Sequence, residues 1–348
     1  MKVLHVLASN KYSGAENVVC QIINMFSEEE MAYCSPDGDI ANTLKDKNIK
    51  FLPLKKFSLK ELKRVIKKFN PDIVHAHDLK AIILVSLIKG KFKKVGHVHV
   101  NDKQKMGKLS VKSFALKLVS KKFEHIFWVS KSCLMDYKFK KQVESRSSVL
   151  YNIIDINSLL NLKNADQNNY DYDIVYLGRL TYQKNPIRIL DIAEKLKEKN
   201  PNFKIAIIGS GDLEEEFKNE VASRHLEKNV ITLGFMKNAY KLLSCAKALL
   251  MTSRFEGTPM VALESLSLGV PIVSTKTDGM VDLLKQNYNG FLYDTDEEAV
   301  ENLLEVFNNS DKLQQMKNNC VEFSKEYNNV ENYKQKIKDV YKKWKAYY

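Results

Sequence analysis

Glu256 and Glu264 stand eight positions apart in RFEGTPMVALESLSLGVPIVST, residues 254–275. Gly257 allows a tight turn beside the first acid, and Pro259 suits the first position of a helix. A helix begun there places Glu264 about one and a half turns in. The backbone of Gly257, Thr258, Pro259 and Met260 then forms an electropositive helix start, fit for a phosphate or a sugar oxygen. A carboxylate accepts two hydroxyl hydrogen bonds, so the pair suits a polyhydroxylated ligand. By itself, Glu264 reads better as a solvent-facing residue of an ordinary helix.

Two further groups carry charge or backbone access. In YLGRLTYQKNP, residues 176–186, Arg179 offers a planar fork to phosphate oxygens and Lys184 a compact charge. Two cations on one loop are equally an ordinary surface feature. In IIGSGDLEEEF, residues 207–217, the Gly209-Ser210-Gly211 turn lets a ligand approach the backbone. It is not a full Gly-x-Gly-x-x-Gly, so a dinucleotide is not expected. The acids at 214–216 would repel a phosphate, and a nucleoside is the expected neighbour.

His75, His77, His97 and His99 form two His-x-His pairs. Alternate strand residues share a face, so each pair can present two metal ligands. No cysteine or third clustered ligand accompanies them in the sequence, and no metal is expected. His75 and His97 read as structural histidines.

These residues must be positioned by alternating strands and helices. In the first half, strands are expected at 2–8, 72–77, 94–100 and 125–130, with helices near 16–26, 58–69, 79–89 and 108–122. The polar stretch NLKNADQNNYDY, 161–172, reads as a linker. The alternation then restarts, with strands at 173–178, 203–209, 230–234, 247–253, 270–275 and 290–294. Helices are expected between them near 186–199, 212–225, 238–245, 259–268 and 297–307. Such alternation implies parallel pairing and α/β layers. The expected organisation is one domain over 1–165, a second over 166–329, and a final helix over 330–348 that packs back across the interface. Ligands of open parallel sheets bind outside the carboxyl ends of the strands, where the residues above fall.

Charge is uneven. Residues 1–165 hold 30 Lys and Arg against 15 Asp and Glu, and residues 166–348 hold 25 against 27. An anionic partner should therefore meet the first half. FSLKELKRVIKKF (57–69) and KLSVKSFALKLVSKKF (108–123) interleave lysines with apolar residues at helical spacing. They read either as solvated helix faces or as a surface resting on anionic lipid; nucleic acid is not an expected partner. The five scattered cysteines suggest buried thiols in a reducing compartment. MKVLHVLASN reads as a first buried strand rather than a signal peptide, and AIILVSLI (81–88) is far short of the roughly 20 residues of a membrane span. A cytoplasmic protein is expected.

Arg179 and Lys184, the Gly-Ser-Gly turn, and Glu256 with Glu264 occur in order at successive strand ends. The set resembles the retaining glycosyltransferases of family 4. Their GT-B fold sets two Rossmann-like doubly wound domains facing across a cleft. GRLTYQKNP and SRFEGTPMVALESLSLGVPIVST carry the resemblance most specifically; SGAENVV (13–19), DIVHAHD (72–78), KVGHVHVND (94–102) and YNIID (151–155) agree. The resemblance implies that Glu256 lies by the donor sugar and Glu264 binds ribose hydroxyls. Arg179 and Lys184 would hold the donor diphosphate and stabilise its charge as it leaves. Gly14 would let backbone approach the same phosphates, His99 would lie near the donor sugar, and His77 would line the cleft.

The implied reaction moves a hexose or N-acetylhexosamine from a nucleotide-sugar to a hydroxyl of a glycan acceptor, with retention and with no cofactor. UDP-sugar is the first choice of donor, and GDP-sugar stays open. Together with the basic first half, the resemblance implies a polyprenyl-diphosphate-linked acceptor at the anionic inner membrane face, in bacterial surface polysaccharide assembly. Two other readings stay open: a nucleotide-sugar epimerase of the same architecture, and a non-catalytic nucleotide-sugar-binding subunit of a synthase complex.

Overall fold

A computed structural model describes residues 1–99 and 110–342. The chain divides into two compact units, Met1–Ile153 together with the chain from Asn329 on, and Ile154–Asn328. The first holds a six-stranded sheet in the order β2-β1-β3-β4-β5-β6. Its strands are β1 (Lys2–Val6), β2 (Glu30–Cys34), β3 (Ile73–His77), β4 (Lys93–Val98), β5 (His125–Trp128) and β6 (Ser147–Val149). The second holds six more, β12-β11-β10-β7-β8-β9. These are β7 (Ile174–Leu177), β8 (Ile205–Ile208), β9 (Val230–Gly234), β10 (Ala248–Met251), β11 (Ile272–Thr275) and β12 (Gly290–Tyr293).

Every strand pairing is parallel. Parallel sheets are covered on both faces, which is why the strands read as continuous apolar runs such as IAII in β8. Alternation then assigns the faces. Tyr176, Ile205 and Ile207 enter one core of the second unit, and Val175, Ala206 and Ile208 the other. In each sheet the chain first builds outward on one side and then crosses to the other. The reversal falls between β1 and β3 in the first unit and between β7 and β10 in the second. Such reversals leave a crevice at the strands' carboxyl ends.

Where they fall on described residues, the expected strands and helices are present within a few residues, and the differences have local causes; position 100 of the expected strand 94–100, positions 108–109 of the helix 108–122 and positions 343–348 of the final helix lie outside the described residues. β2 and β6 were not anticipated: EMAYC follows an acidic run, and SSV is short and half-buried. The proposed linker is half helix. Ile156–Ala165 is capped by Asp155, whose carboxylate accepts from Ser158 N at 3.0 Å. Leu159 of that helix and Ile154 before it enter the second core, so the units divide between Ile153 and Ile154 rather than at 165. Asn328 fastens this entry point. Its side chain accepts from Ile154 N at 2.7 Å and donates to Ile154 O at 2.8 Å. The last helix, Val330–Lys342, buries Tyr333, Ile337, Val340 and Tyr341 and belongs to the first unit.

Candidate active site

The loops that follow β7 and β10, at the reversal of the second sheet, bring two expected residues together. Lys184 Nζ lies 2.6 Å from Glu256 Oε1, with side-chain exposures of 16% and 6%. Several bonds hold the loops in this register. Thr252 at the end of β10 donates its hydroxyl to the carbonyls of Lys184 and Asn185, at 3.0 and 2.9 Å. Gln183 Nε2 donates to Phe255 O at 3.1 Å, and Arg254 N donates to Gln183 O at 2.8 Å. Arg254 Nη2 also reaches Asn185 Oδ1 at 2.7 Å. Asn185 has φ +51, a left-handed conformation that asparagine tolerates better than most residues. Gln183, Thr252 and Arg254 were not anticipated from the sequence, because their partners are main-chain groups some 70 residues away.

Arg179, on the same loop as Lys184, is exposed and has no carboxylate partner among the described residues. Its carbonyl is tied back by Tyr176 OH at 2.9 Å.

The Gly-Ser-Gly turn after β8 has a structural reason first. Gly209 has φ +138, and a Cβ there would stand 1.9 Å from Gly178 O. A Cβ on Gly211 would stand 2.3 Å from Leu180 O. Both glycines therefore let the β8 loop pack onto the Arg179 loop, joined by Leu180 N to Ser210 O at 3.0 Å. A third contact of this kind was missed in the sequence. Gly279 approaches Gly257 so closely that a Cβ would fall 1.2 Å from the Gly257 carbonyl oxygen. Gly257 itself is not among the left-handed glycines.

Pro259 is the residue before the helix, with φ −70 and ψ 128, and Met260 begins it. Thr258 and Pro259 are buried beside Glu256. Glu264, one turn into the helix, accepts from Tyr240 OH at 3.2 Å rather than facing open solvent. Burial pushes its carboxyl up to about 7, and the Tyr240 hydrogen bond offsets this only in part. A half-buried acid with a hydroxyl partner and no cation among the described residues is suited to further hydroxyl donors.

In the first unit, Gly14 begins the helix Gly14–Met25 after β1. Asp78 spans the reversal of that sheet, its carboxylate accepting from Ala8 N at 2.9 Å and Ala81 N at 2.8 Å. Its φ of +95 is strained for a residue with a side chain. His77 does not line an open surface, because it is fully buried in a row of imidazoles. His77 Nδ1 lies 3.0 Å from His99 Nε2, and His77 Nε2 lies 2.9 Å from His5 Nδ1. His99 is mostly buried, with Nδ1 enclosed, and that burial holds it down at about 3, so it is neutral near pH 7. The expectation that no third ligand accompanies the histidine pairs fails. His5 on β1 joins His75 and His77, and His77, His97 and His99 form a second group. Sequence order hides this, since β1 and β3 are neighbours only in the sheet.

The fold has close counterparts among solved structures. Anabaena HepE in complex with UDP superposes with a TM-score of 0.82 at 18% identity, covering 97% of this chain and 99% of that one. The protein is a GT-B protein with two Rossmann-like units. Residues 12–158 match the family model "Glycosyltransferase Family 4", and residues 161–323 match "Glycosyl transferases group 1". The two matches tile most of the chain, which belongs to the family 4 type of GT-B glycosyltransferases. Among curated relatives, the Escherichia coli UDP-Gal:alpha-D-GlcNAc-diphosphoundecaprenol alpha-1,3-galactosyltransferase is 26% identical, over 98% of this chain and 96% of that protein. The Campylobacter jejuni GalNAc-alpha-(1->4)-GalNAc-alpha-(1->3)-diNAcBac-PP-undecaprenol alpha-1,4-N-acetyl-D-galactosaminyltransferase is 35% identical over 158 residues, 44% of either chain.

Proposed function

We propose that the enzyme transfers a sugar, with retention, from a UDP-sugar to a hydroxyl of a lipid-linked glycan. The observation that carries this is the juxtaposition at the β7/β10 reversal: Lys184 on Glu256, with the exposed Arg179 on the same loop. Arg179 and Lys184 supply counter-charge to the donor diphosphate, and turnover needs no cofactor. Diphosphate arrival draws Lys184 partly from Glu256 and leaves that carboxylate to accept from donor-sugar hydroxyls. Glu264 accepts from the ribose hydroxyls, and the backbone around Gly209 and Gly211 faces the nucleoside. The main chain at Gly257, Thr258, Pro259 and Met260 borders the phosphates. Gly14 and the neutral His99 are the first unit's contributions to the reaction.

The donor class is supported by HepE, solved with UDP, and by the E. coli relative, named for UDP-galactose. A polyprenyl-diphosphate acceptor is supported by the two relatives named for undecaprenyl-linked substrates. The first unit adds a surface suited to the anionic inner membrane face. On the helix Val111–Ser120, Val111, Phe114 and Leu118 are 88%, 50% and 59% exposed, flanked by Lys112 and Lys117. The other basic helix, Leu59–Phe69, buries Leu62, Val65, Ile66 and Phe69 and leaves only its lysine face to solvent. No helix among the described residues is long and apolar enough to cross a membrane.

The test is thermal stabilisation by UDP, GDP and ADP, followed by product analysis. A ligand at a hundred times its Kd adds about 2.7 kcal/mol, a visible shift. Preference for UDP and an axial-to-axial product by NMR are expected; preference for GDP or an inverted anomer would overturn the corresponding part.

A further inference from the structure

The first unit carries a cluster that sugar transfer does not use. His5 lies on β1, and His75 and His77 lie on β3, with His5 in register with His75. All three are fully buried, and one ring nitrogen of each lies within 4.8 Å of the other two. Ring centroids stand 5.3 Å apart for His5–His75 and 5.2 Å for His5–His77. Three imidazoles bound at 2.0–2.1 Å around one tetrahedral ion place their centroids about 5 Å apart. His75 and His77, at 4.1 Å, must part by about 1 Å to meet this spacing.

The outer nitrogens of two rings are already engaged. His75 Nδ1 is 2.8 Å from Tyr341 OH, on the last helix, and His77 Nδ1 is 3.0 Å from His99 Nε2. With protons on those Nδ1 atoms, both Nε2 lone pairs turn toward the cluster. A metal-bound histidine commonly donates its other N–H in this way. His77 Nε2 meets His5 Nδ1 at 2.9 Å, whereas His75 Nε2 and His5 Nε2 have no partner among the described residues. A buried polar nitrogen without a partner is costly, and an ion at this point would engage His75 Nε2 directly.

We propose that His5, His75 and His77 hold one divalent transition ion of the zinc class. Imidazole-only donors favour zinc, cobalt or nickel over magnesium or calcium. The second group, His77 with His97 and His99, is less suited. Neither His97 nitrogen has a partner among the described residues, so nothing fixes which one faces inward. The ion's role is structural: it ties β1 to β3 beside Asp78, at the reversal of the sheet.

The test uses the full chain without an affinity tag, stripped with a chelator and dialysed against Zn²⁺ alone. One bound ion per chain and a rise in unfolding temperature are expected, and Co²⁺ in its place should give visible d–d absorption. His97→Asn should keep the ion, and His5→Asn and His75→Asn should lose it. Should either fail to fold, Tyr341→Phe removes only the outer partner of His75 and should weaken affinity 10–100-fold. No ion on the wild type, full stoichiometry in His5→Asn, or unchanged affinity in Tyr341→Phe would overturn the assignment.

Discussion

Replacing Lys184 with methionine should destabilise the second unit before any effect on catalysis is considered. The substitution keeps most of the side chain's volume but leaves the Glu256 carboxylate, 6% exposed, without its cation. Breaking a buried pair from one side costs about 3–5 kcal/mol. Lys184 retains 16% exposure, so water recovers part of this, and about 3 kcal/mol is the expected loss. For a unit of this size that corresponds to a fall of about 6–12 °C in Tm. Lys184→Met with Glu256→Gln removes both charges and should recover most of the loss, giving a coupling of about 2 kcal/mol. The assay is calorimetric unfolding of the four proteins of the cycle without donor, followed by titration with a UDP-sugar. A coupling below about 0.5 kcal/mol would refute the reasoning, because the pair would then behave as an ordinary solvated surface contact. Without this cycle, lost turnover in a Lys184 variant could be taken for lost phosphate binding when the cause is a stranded acid.

Other outcomes follow from neighbouring residues. Arg179→Ala should lower kcat/KM about 10²–10³-fold, read in a steady-state assay, with Tm unchanged because the side chain is exposed. Gly279→Ala places a methyl into the Gly257 carbonyl, and should cost about 2–3 kcal/mol in denaturant unfolding and weaken nucleotide binding as the Glu256 loop shifts. With the Glu264 carboxyl pushed up to about 7, its proton must leave before it can accept fully from a ribose. UDP-sugar binding should therefore tighten as pH rises from 6 to 8, by up to about tenfold per unit below 7, and Glu264→Gln should abolish that slope in calorimetric titration. Phe114→Ser with Leu118→Ser should reduce flotation with anionic vesicles while leaving activity on a soluble acceptor intact; equal flotation would retire the membrane surface.

The sequence by itself determined the repeated strand–helix alternation, the parallel sheets, and the chemical types at the strand ends. Apolar runs and helical periodicity are local properties, and Arg179, Lys184, Glu256 and Glu264 sit where local punctuation ends a strand or opens a helix. Tertiary structure decided which of these meet. Glu256 and Lys184 are 72 residues apart and touch because β10 lies beside β7, a neighbourhood set by the crossover of the sheet. Long-range packing likewise brought His5 to His75 across the reversal of the first sheet, made Gly209, Gly211 and Gly279 points of loop contact, and gave Glu264, expected to bind ribose, Tyr240 as a partner. It also moved the boundary between units to Ile153, because Leu159 found an apolar core where the polar composition around it suggested a linker. Strand order is a property of long-range packing, and nothing in the spacing of residues along the chain encodes it directly.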